Sequence, residues 1–392
     1  MTAVVSRGAA AVRSGPIDDI FTTLARRPEV ISFAVGAPDP ALLPGELVAS
    51  LAADVVAQYG TSALQYGSTR GFPPLLDQAQ ILLRERGITG PAGLTHIATG
   101  GSGALHSVCM ALLDPGAVVL VEIPTYGPAV KVFRSHGAVV RGVESDMDGI
   151  LPAALDAALA AQQVAMVYLL PTFQNPTGRT MPTARRKQIA EIIVRHGATV
   201  VEDDVYVDLR YQGNPLPAFW SFAPHNTVYI TSLSKTVAPA LRTGIAVLPE
   251  NLLEHVLALK QGIDMQTSTF NQAIAAAFLR SAEGAAHVAR AIEKYGAKLA
   301  ALTAALHRHM PSGFSWTEPE GGMFVWVEGP ADFDAEKLIG PALDAGIAFL
   351  PGTMFYAAQD PPRNGIRLSF ANVPSSEIDR GITVLADLCA AR

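Results

Sequence analysis

From residue 118 onward the chain repeats one pattern that limits the folds open to it: a short β-branched run, a break rich in proline, glycine or asparagine, then a helical stretch. Runs over 118–123, near Val139, and over 164–170, 199–202, 228–231 and 244–248 read as strands, with helical patterns between them, including one over 183–196. Strands that alternate with helices predict a mostly parallel central sheet with helices on both faces, a three-layer α/β fold. Such sheets hold ligands in the crevice beyond the carboxyl ends of their strands. Polar residues at those ends are therefore the candidates for chemistry.

The stretch VYITSLSKTVAPALRTG, residues 228–244, carries the sharpest of them. Its apolar run stops at Ser232, Leu233 and Ser234, delivers Lys235 just past the strand end, and reaches Arg242 seven residues later. Taken alone, a lysine between hydroxyl residues reads as a solvated loop lysine; the rest of the chain reverses that reading. Other strand ends add Tyr126, Asn175 within PTFQNPTG, and Asp203 and Tyr206. The segment ATGGSGALHSVCMALL, residues 98–113, opens a helix with small residues. Free backbone N–H groups at such a start suit a phosphate. A strand-end lysine, a separate strand-end aspartate and a phosphate cradle are what pyridoxal phosphate requires: a Schiff-base amine, a partner for the pyridine nitrogen and an anion site.

At 392 residues the chain allows a large core and a second domain. Three parts are expected: an N-terminal arm and helix over 1–30 that joins the smaller domain, a large domain over 31–270, and a smaller α+β domain over 271–392. In the last, a long helical pattern over 270–310 precedes strands in GGMFVWVEG and IRLSFA and a helix over 376–390. A net charge of −6 gives no electrostatic footprint for nucleic acid. Cys109 and Cys389 both fall in apolar helical patterns and read as buried reduced thiols, which excludes a disulfide framework. The start, MTAVVSRGAAAVRSG, lacks the apolar run of a signal peptide, and no uncharged apolar stretch reaches the length of a membrane span. No membrane and a cytoplasmic location are expected.

The motifs ISFAVGAPDP, LQYGSTRG, TGGSGAL, IPTYG, PTFQNPTG, VEDDVY, SLSKTVAPALRTG, GGMFVW and NGIRLSFA occur in that order, and the resemblance they carry runs from about residue 12 to the C-terminus. In combination they resemble the fold type I pyridoxal-phosphate enzymes, specifically class I/II aminotransferases of the branch with 2-aminoadipate and kynurenine aminotransferases. The resemblance implies that Lys235 holds the cofactor as a Schiff base and then acts as general base. It implies that Asp203 pairs with the pyridine nitrogen, that Tyr206 and Asn175 donate to the phenolic oxygen, and that Tyr126 stacks on the ring. Ser102, Gly103, Ser232 and Arg242 would hold the phosphate. Arg367 would grip the substrate carboxylate, with Asn175 and Gly36 beside it. Tyr66 would reach the phosphate of a neighbouring subunit, which implies a homodimer with shared active sites.

The implied reaction moves an amino group between an L-amino acid and a 2-oxo acid by a ping-pong mechanism. Asp18 stands where that branch often carries an arginine for acidic side chains, which argues against an acidic substrate and for a non-acidic or cationic one; solvated helix carboxylates are the favoured reading of Asp18 and Asp19, and a pocket-facing carboxylate that selects a cationic side chain is the alternative. Arg70 falls in the loop that would approach the neighbouring site. Two alternatives share the cofactor shell or the fold: a lyase, decarboxylase or oxidase, and the effector domain of a transcription regulator. The second is disfavoured because the arm begins within the first thirty residues, leaving no room for a DNA reader.

Overall fold

The computed structural model describes residues 4–12, 16–90, 92–358 and 360–391, with the side chains of residues 7 and 16–19 outside the description. Seven strands form its main sheet: Thr95–Thr99 (β1), Val118–Glu122 (β2), Val139–Val143 (β3), Met166–Leu169 (β4), Val200–Asp203 (β5), Thr227–Ser232 (β6) and Thr243–Val247 (β7). Their spatial order is β1-β7-β6-β5-β4-β2-β3, and only β7 runs against its neighbours. The expected mostly parallel sheet is present. Strand β1, THIAT, was not anticipated, because two of its five residues are threonine and one is histidine, which weakens the apolar run.

Both faces of the sheet are covered, which explains why β4, β5 and β6 are buried along their whole length. One face packs on helices Gly100–Leu112 (α1) and Gly127–Ser135 (α2), joining Val108, Cys109 and Phe133 to Tyr168 and Val201. On the opposite face, helices Pro152–Ala161 and Thr183–His196 bring Leu155, Ile189 and Ile193 against Val167, Leu169 and Val200. Neighbouring residues of one strand thus enter opposite layers, as the pleat requires. Each fully buried aliphatic side chain contributes about 1.5–3 kcal/mol. The helix Thr183–His196 ends where Gly197 takes φ 61°, a left-handed cap that glycine adopts without steric cost.

The helical pattern expected over 270–310 is two helices, Thr269–Arg280 and Ala282–His309. Ser281 divides them: its backbone is extended (φ −83°, ψ 144°) and its hydroxyl accepts the N–H of Gly284, capping the second helix. The first of the pair packs with Leu51, Val55, Leu75 and Leu83 of helices Gly45–Tyr59 and Pro73–Glu85, beside the main sheet. The second packs instead on Ser375–Ala390 and on a four-stranded sheet that includes Phe324–Glu328 (β8) and Gly365–Ser369 (β9). The stretch Gly45–Leu64 is, by length and composition alone, apolar enough to cross a membrane. Its Leu51, Val55 and Ala63 nonetheless join the core, and Glu46 lies in its first turn.

Candidate active site

The carboxyl ends of β5 and β6 and the N-terminus of α1 enclose a cavity of about 160 Å³. Ser102, Tyr126, Asp203, Tyr206, Ser232, Lys235 and Arg242 all line it, so segments from residue 102 to residue 242 converge on one space. Lys235 follows β6 after a single turn, and its Nζ donates to the Gly36 carbonyl at 3.1 Å. Burial, then the charges of Arg367 and Arg242, lower the amine to about 8 against the counteracting pull of Asp203. An amine so tuned is neutral over part of the physiological range and can act as nucleophile or base.

Asp203, the last residue of β5, is buried. Its Oδ2 accepts a hydrogen bond from the Tyr168 hydroxyl at 2.6 Å, and its Oδ1 has no partner. Burial raises the carboxyl to about 6, partly opposed by the Tyr168 bond. A buried acceptor without a donor costs free energy unless a ligand supplies one. Tyr126 also lines the cavity, its phenol raised to about 12 by burial and by Asp203. The Asn175 amide donates to the Tyr206 hydroxyl at 3.4 Å, linking the two side chains expected to act together.

The helix start expected to cradle a phosphate is that of α1, at the edge of the cavity. Gly100 has φ 75°, and a Cβ there would stand 2.4 Å from Arg242 Nη2, so only glycine lets the guanidinium approach this backbone. Arg242 itself takes φ 48°, an uncommon conformation for a side chain of its size. Ser232 Oγ accepts the N–H of Ser234 at 3.2 Å and donates to the Thr243 carbonyl at 3.1 Å. Gly103, expected at the phosphate, does not line the cavity; Gly101 does. On the helix, residue 103 falls a half-turn behind 101, with its missing Cβ position 3.3 Å from Thr99.

Arg367, on β9, is 5% exposed, and no carboxylate pairs with it among the described residues. Its guanidinium sits 4.5 Å from the Phe324 ring centroid and 5.1 Å from that of Phe355. It donates to the Ala34 carbonyl and, at 3.4 Å, to Asn175 Oδ1, while Nε stays unpartnered. Burial lowers it to about 10. Gly36 leaves this space open, since a Cβ there would meet Phe324 Cζ at 2.8 Å and lie 3.9 Å from Arg367 Nη1.

Two residues expected at the site of a neighbouring subunit lie outside this cavity, as that expectation requires of the single chain. Tyr66 is 73% exposed and outside the cavity of its own chain. Arg70 donates to the carbonyls of Thr95 (3.0 Å) and Ala92 (2.5 Å), a clasp on the strand leading into the cradle. The side chains of Asp18 and Asp19 lie outside the described residues. Sequence reasoning passed over Leu105, Leu170, Val205, Ser234 and Pro239, which also line the cavity, and Tyr168, which touches Asp203. Ser234 had a signal, one position before the lysine; the apolar four look like any core residue.

A three-layer sheet that brings a tuned lysine and an unpaired aspartate together at its strand ends defines a pyridoxal-phosphate enzyme of fold type I. A family model described as aminotransferase class I and II matches residues 28–385, and the chain belongs to that family. It is 34% identical to the aromatic-amino-acid aminotransferase 1 of Thermococcus litoralis, over 92% of this chain and 88% of that one. The crystal structure of Pyrococcus horikoshii kynurenine aminotransferase with PMP superposes at a TM-score of 0.93, with 32% identity and coverage of 98% and 96%. That of the Thermus thermophilus α-aminoadipate aminotransferase, complexed with N-(5′-phosphopyridoxyl)-L-leucine, gives 0.90, 32%, 98% and 97%. The protein is an aminotransferase and its cofactor is pyridoxal 5′-phosphate. The orphaned Asp203 Oδ1 and the glycine-lined cradle at Arg242 both fit that group.

Proposed function

We propose that Lys235 and the residues around it carry transamination between an L-amino acid with a non-acidic side chain and a 2-oxo acid, in two half-reactions at one site. The unpartnered Asp203 Oδ1, buried in the cavity that Lys235 lines, carries this reading. The cofactor, when bound, supplies an aldehyde that takes the amino group and a ring that withdraws electrons from the substrate α-carbon. Lys235 would hold it through Nζ and, as a free amine, would take the proton from the substrate α-carbon; positioned transfer of this kind contributes about 10²- to 10⁴-fold. Asp203 would pair with the ring nitrogen, Tyr126 would cover the ring, and Tyr206 with Asn175 would serve its phenolic oxygen. Ser102, Gly101, Ser232 and Arg242 hold the phosphate, whose dianion matches arginine's fixed charge. Arg367 and Asn175 orient the substrate carboxylate beside Gly36, and Phe324 and Phe355 keep water from the guanidinium.

We further propose a cytoplasmic homodimer whose chain has a large cofactor-binding domain and a smaller one, with the boundary expected at 270 moved to Ser281 because the helix Thr269–Arg280 packs beside the main sheet. Val56, Leu64 and Tyr66, exposed by 43%, 66% and 73%, support a subunit contact along the helix Gly45–Tyr59 and the loop after it. Tyr66 then completes the partner's phosphate site. The test is an absorbance spectrum of the holoenzyme with single L-amino acids and no oxo acid. Conversion of the cofactor to its amine form by some of them supports the proposal and identifies the donor. Consumption of amino acid without that conversion would move the assignment to a lyase or oxidase.

A further inference from the structure

We propose that Tyr168 is a positioning residue for the cofactor ring: its hydroxyl, bonded to Asp203 Oδ2, leaves Oδ1 to the ring nitrogen and weakens the carboxylate as a base, so the shared proton stays on nitrogen. The inference rests on the aminotransferase reading of the cavity and adds a residue outside its lining. Tyr168 belongs to β4 and stands opposite Val201 of β5, so Asp203, two residues on, shares its face of the sheet. The hydroxyl reaches Oδ2 at 2.6 Å, the only hydrogen bond Asp203 makes through its side chain among the described residues. The phenol cannot turn away: it is 0% exposed, and its ring meets Phe133 edge-on, centroids 5.3 Å apart.

The charges around Asp203 make the contact necessary. Asp204 opposes ionisation of Asp203 while Lys235 favours it, and burial outweighs both. Tyr168 supplies the one neutral donor that stabilises the anion. It also remains a donor throughout the working range, because burial and Asp203 hold its own proton well above the ordinary tyrosine range. A carboxylate of this kind and a pyridine nitrogen compete for one proton, which rests on the stronger base. Removing the hydroxyl makes Asp203 the stronger base and draws the proton to oxygen. The ring then withdraws electrons less, and proton removal from the substrate slows.

The direct test loads the holoenzyme with cofactor ¹⁵N-labelled at the ring nitrogen and compares wild type with Tyr168→Phe at one fixed pH. Phenylalanine keeps the packing on Phe133. The resonance is expected to move toward the unprotonated value, with kcat reduced about ten- to hundredfold and KM for the amino acid changed far less, as loss of one hydrogen bond to a charged group predicts. A resonance identical to wild type overturns the proposal. Replacing Tyr168 with 3-fluorotyrosine, a stronger donor that preserves the fold, gives an independent reading. It should move the resonance further to the protonated side, and no movement or the opposite movement counts against the proposal. If the cavity were not a cofactor site at all, wild type itself would show no bound resonance, a different failure.

Discussion

Lys235 Nζ donates to the carbonyl of Gly36 across 3.1 Å, although 199 residues separate them in the chain. The lysine proposed as base and the loop proposed to flank the substrate carboxylate are thus joined directly. Arg367 closes the same corner, since its guanidinium donates to the Ala34 carbonyl two residues upstream of Gly36. On the proposed roles, the amine, the loop and the arginine would define where an α-amino acid stands.

Gly36→Ala tests how tightly that corner is made. The added methyl would meet Phe324 Cζ at 2.8 Å, and Phe324 also packs on Arg367 and edge-on to Tyr206. Overpacking costs about 1–3 kcal/mol. KM for the amino acid should rise about tenfold or more while the cofactor absorbance stays that of wild type. An unchanged KM would mean that the loop gives way freely.

The pH dependence of cofactor capture follows from two opposite shifts. Lys235 is lowered to about 8 from an ordinary lysine value of 10.5, so its amine is neutral, and able to attack an aldehyde, above about pH 8. The rate at which apoenzyme takes up pyridoxal phosphate should climb between pH 7 and 9 and then level, read by stopped-flow absorbance. Asp203 is raised to about 6 from 3.8, so its carboxylate is lost as the pH falls through 6. Cofactor affinity should weaken there, on the acid side only.

Arg367 is buried without an acidic partner, and its Nε is unsatisfied. That cost is recovered when a carboxylate binds. Arg367→Gln should lower kcat/KM for amino acids about ten- to hundredfold, the equivalent of roughly 1.5–3 kcal/mol for a hydrogen bond to a charged group. Steady-state kinetics on holoenzyme check it, with the cofactor spectrum unaltered. Arg367→Lys should rescue little, because a single ammonium cannot reproduce the planar fork.

The sheet and most of its strand ends were legible because buried parallel strands have no polar face to blur the pattern. β5 and β6 needed corrections of one or two residues. β1 was not legible: Thr95 and His96 are buried polar residues, and hydropathy alone cannot distinguish them from a loop. The break at Ser281 escaped for a related reason, since one serine cap interrupts a pattern that is helical on both sides. In the cavity, Ser102, Tyr126, Asp203, Tyr206, Ser232, Lys235 and Arg242 were singled out by residue type and by the motifs around them, and the fold brings them together. Tyr168 did not, because a tyrosine in an apolar strand reads as core until Asp203 is seen 2.6 Å away.

The loop that carries Gly36 depends on a contact far from the chemistry. Lys298, on the helix Ala282–His309, donates to Asp39 Oδ2 at 2.6 Å and to the Ala371 carbonyl at 2.8 Å, just past the strand of Arg367. Tyr295, one turn earlier, accepts the Asp39 N–H at 3.0 Å. The two side chains of the ion pair are 6% and 17% exposed, so removing one strands the other away from water. Lys298→Met should therefore destabilise by about 3 kcal/mol, the lower end for breaking a buried pair. Thermal unfolding should show a Tm reduced by several degrees, about 2–4 °C per kcal/mol in a domain of moderate size. KM for the amino acid should rise as well, because Gly36 loses its anchor, while cofactor affinity should hold, because the cradle lies on α1. Adding Asp39→Asn removes the stranded charge and should recover part of the Tm but not the KM. A single Lys298→Met variant with wild-type Tm and KM would show that the loop is held by its packing alone.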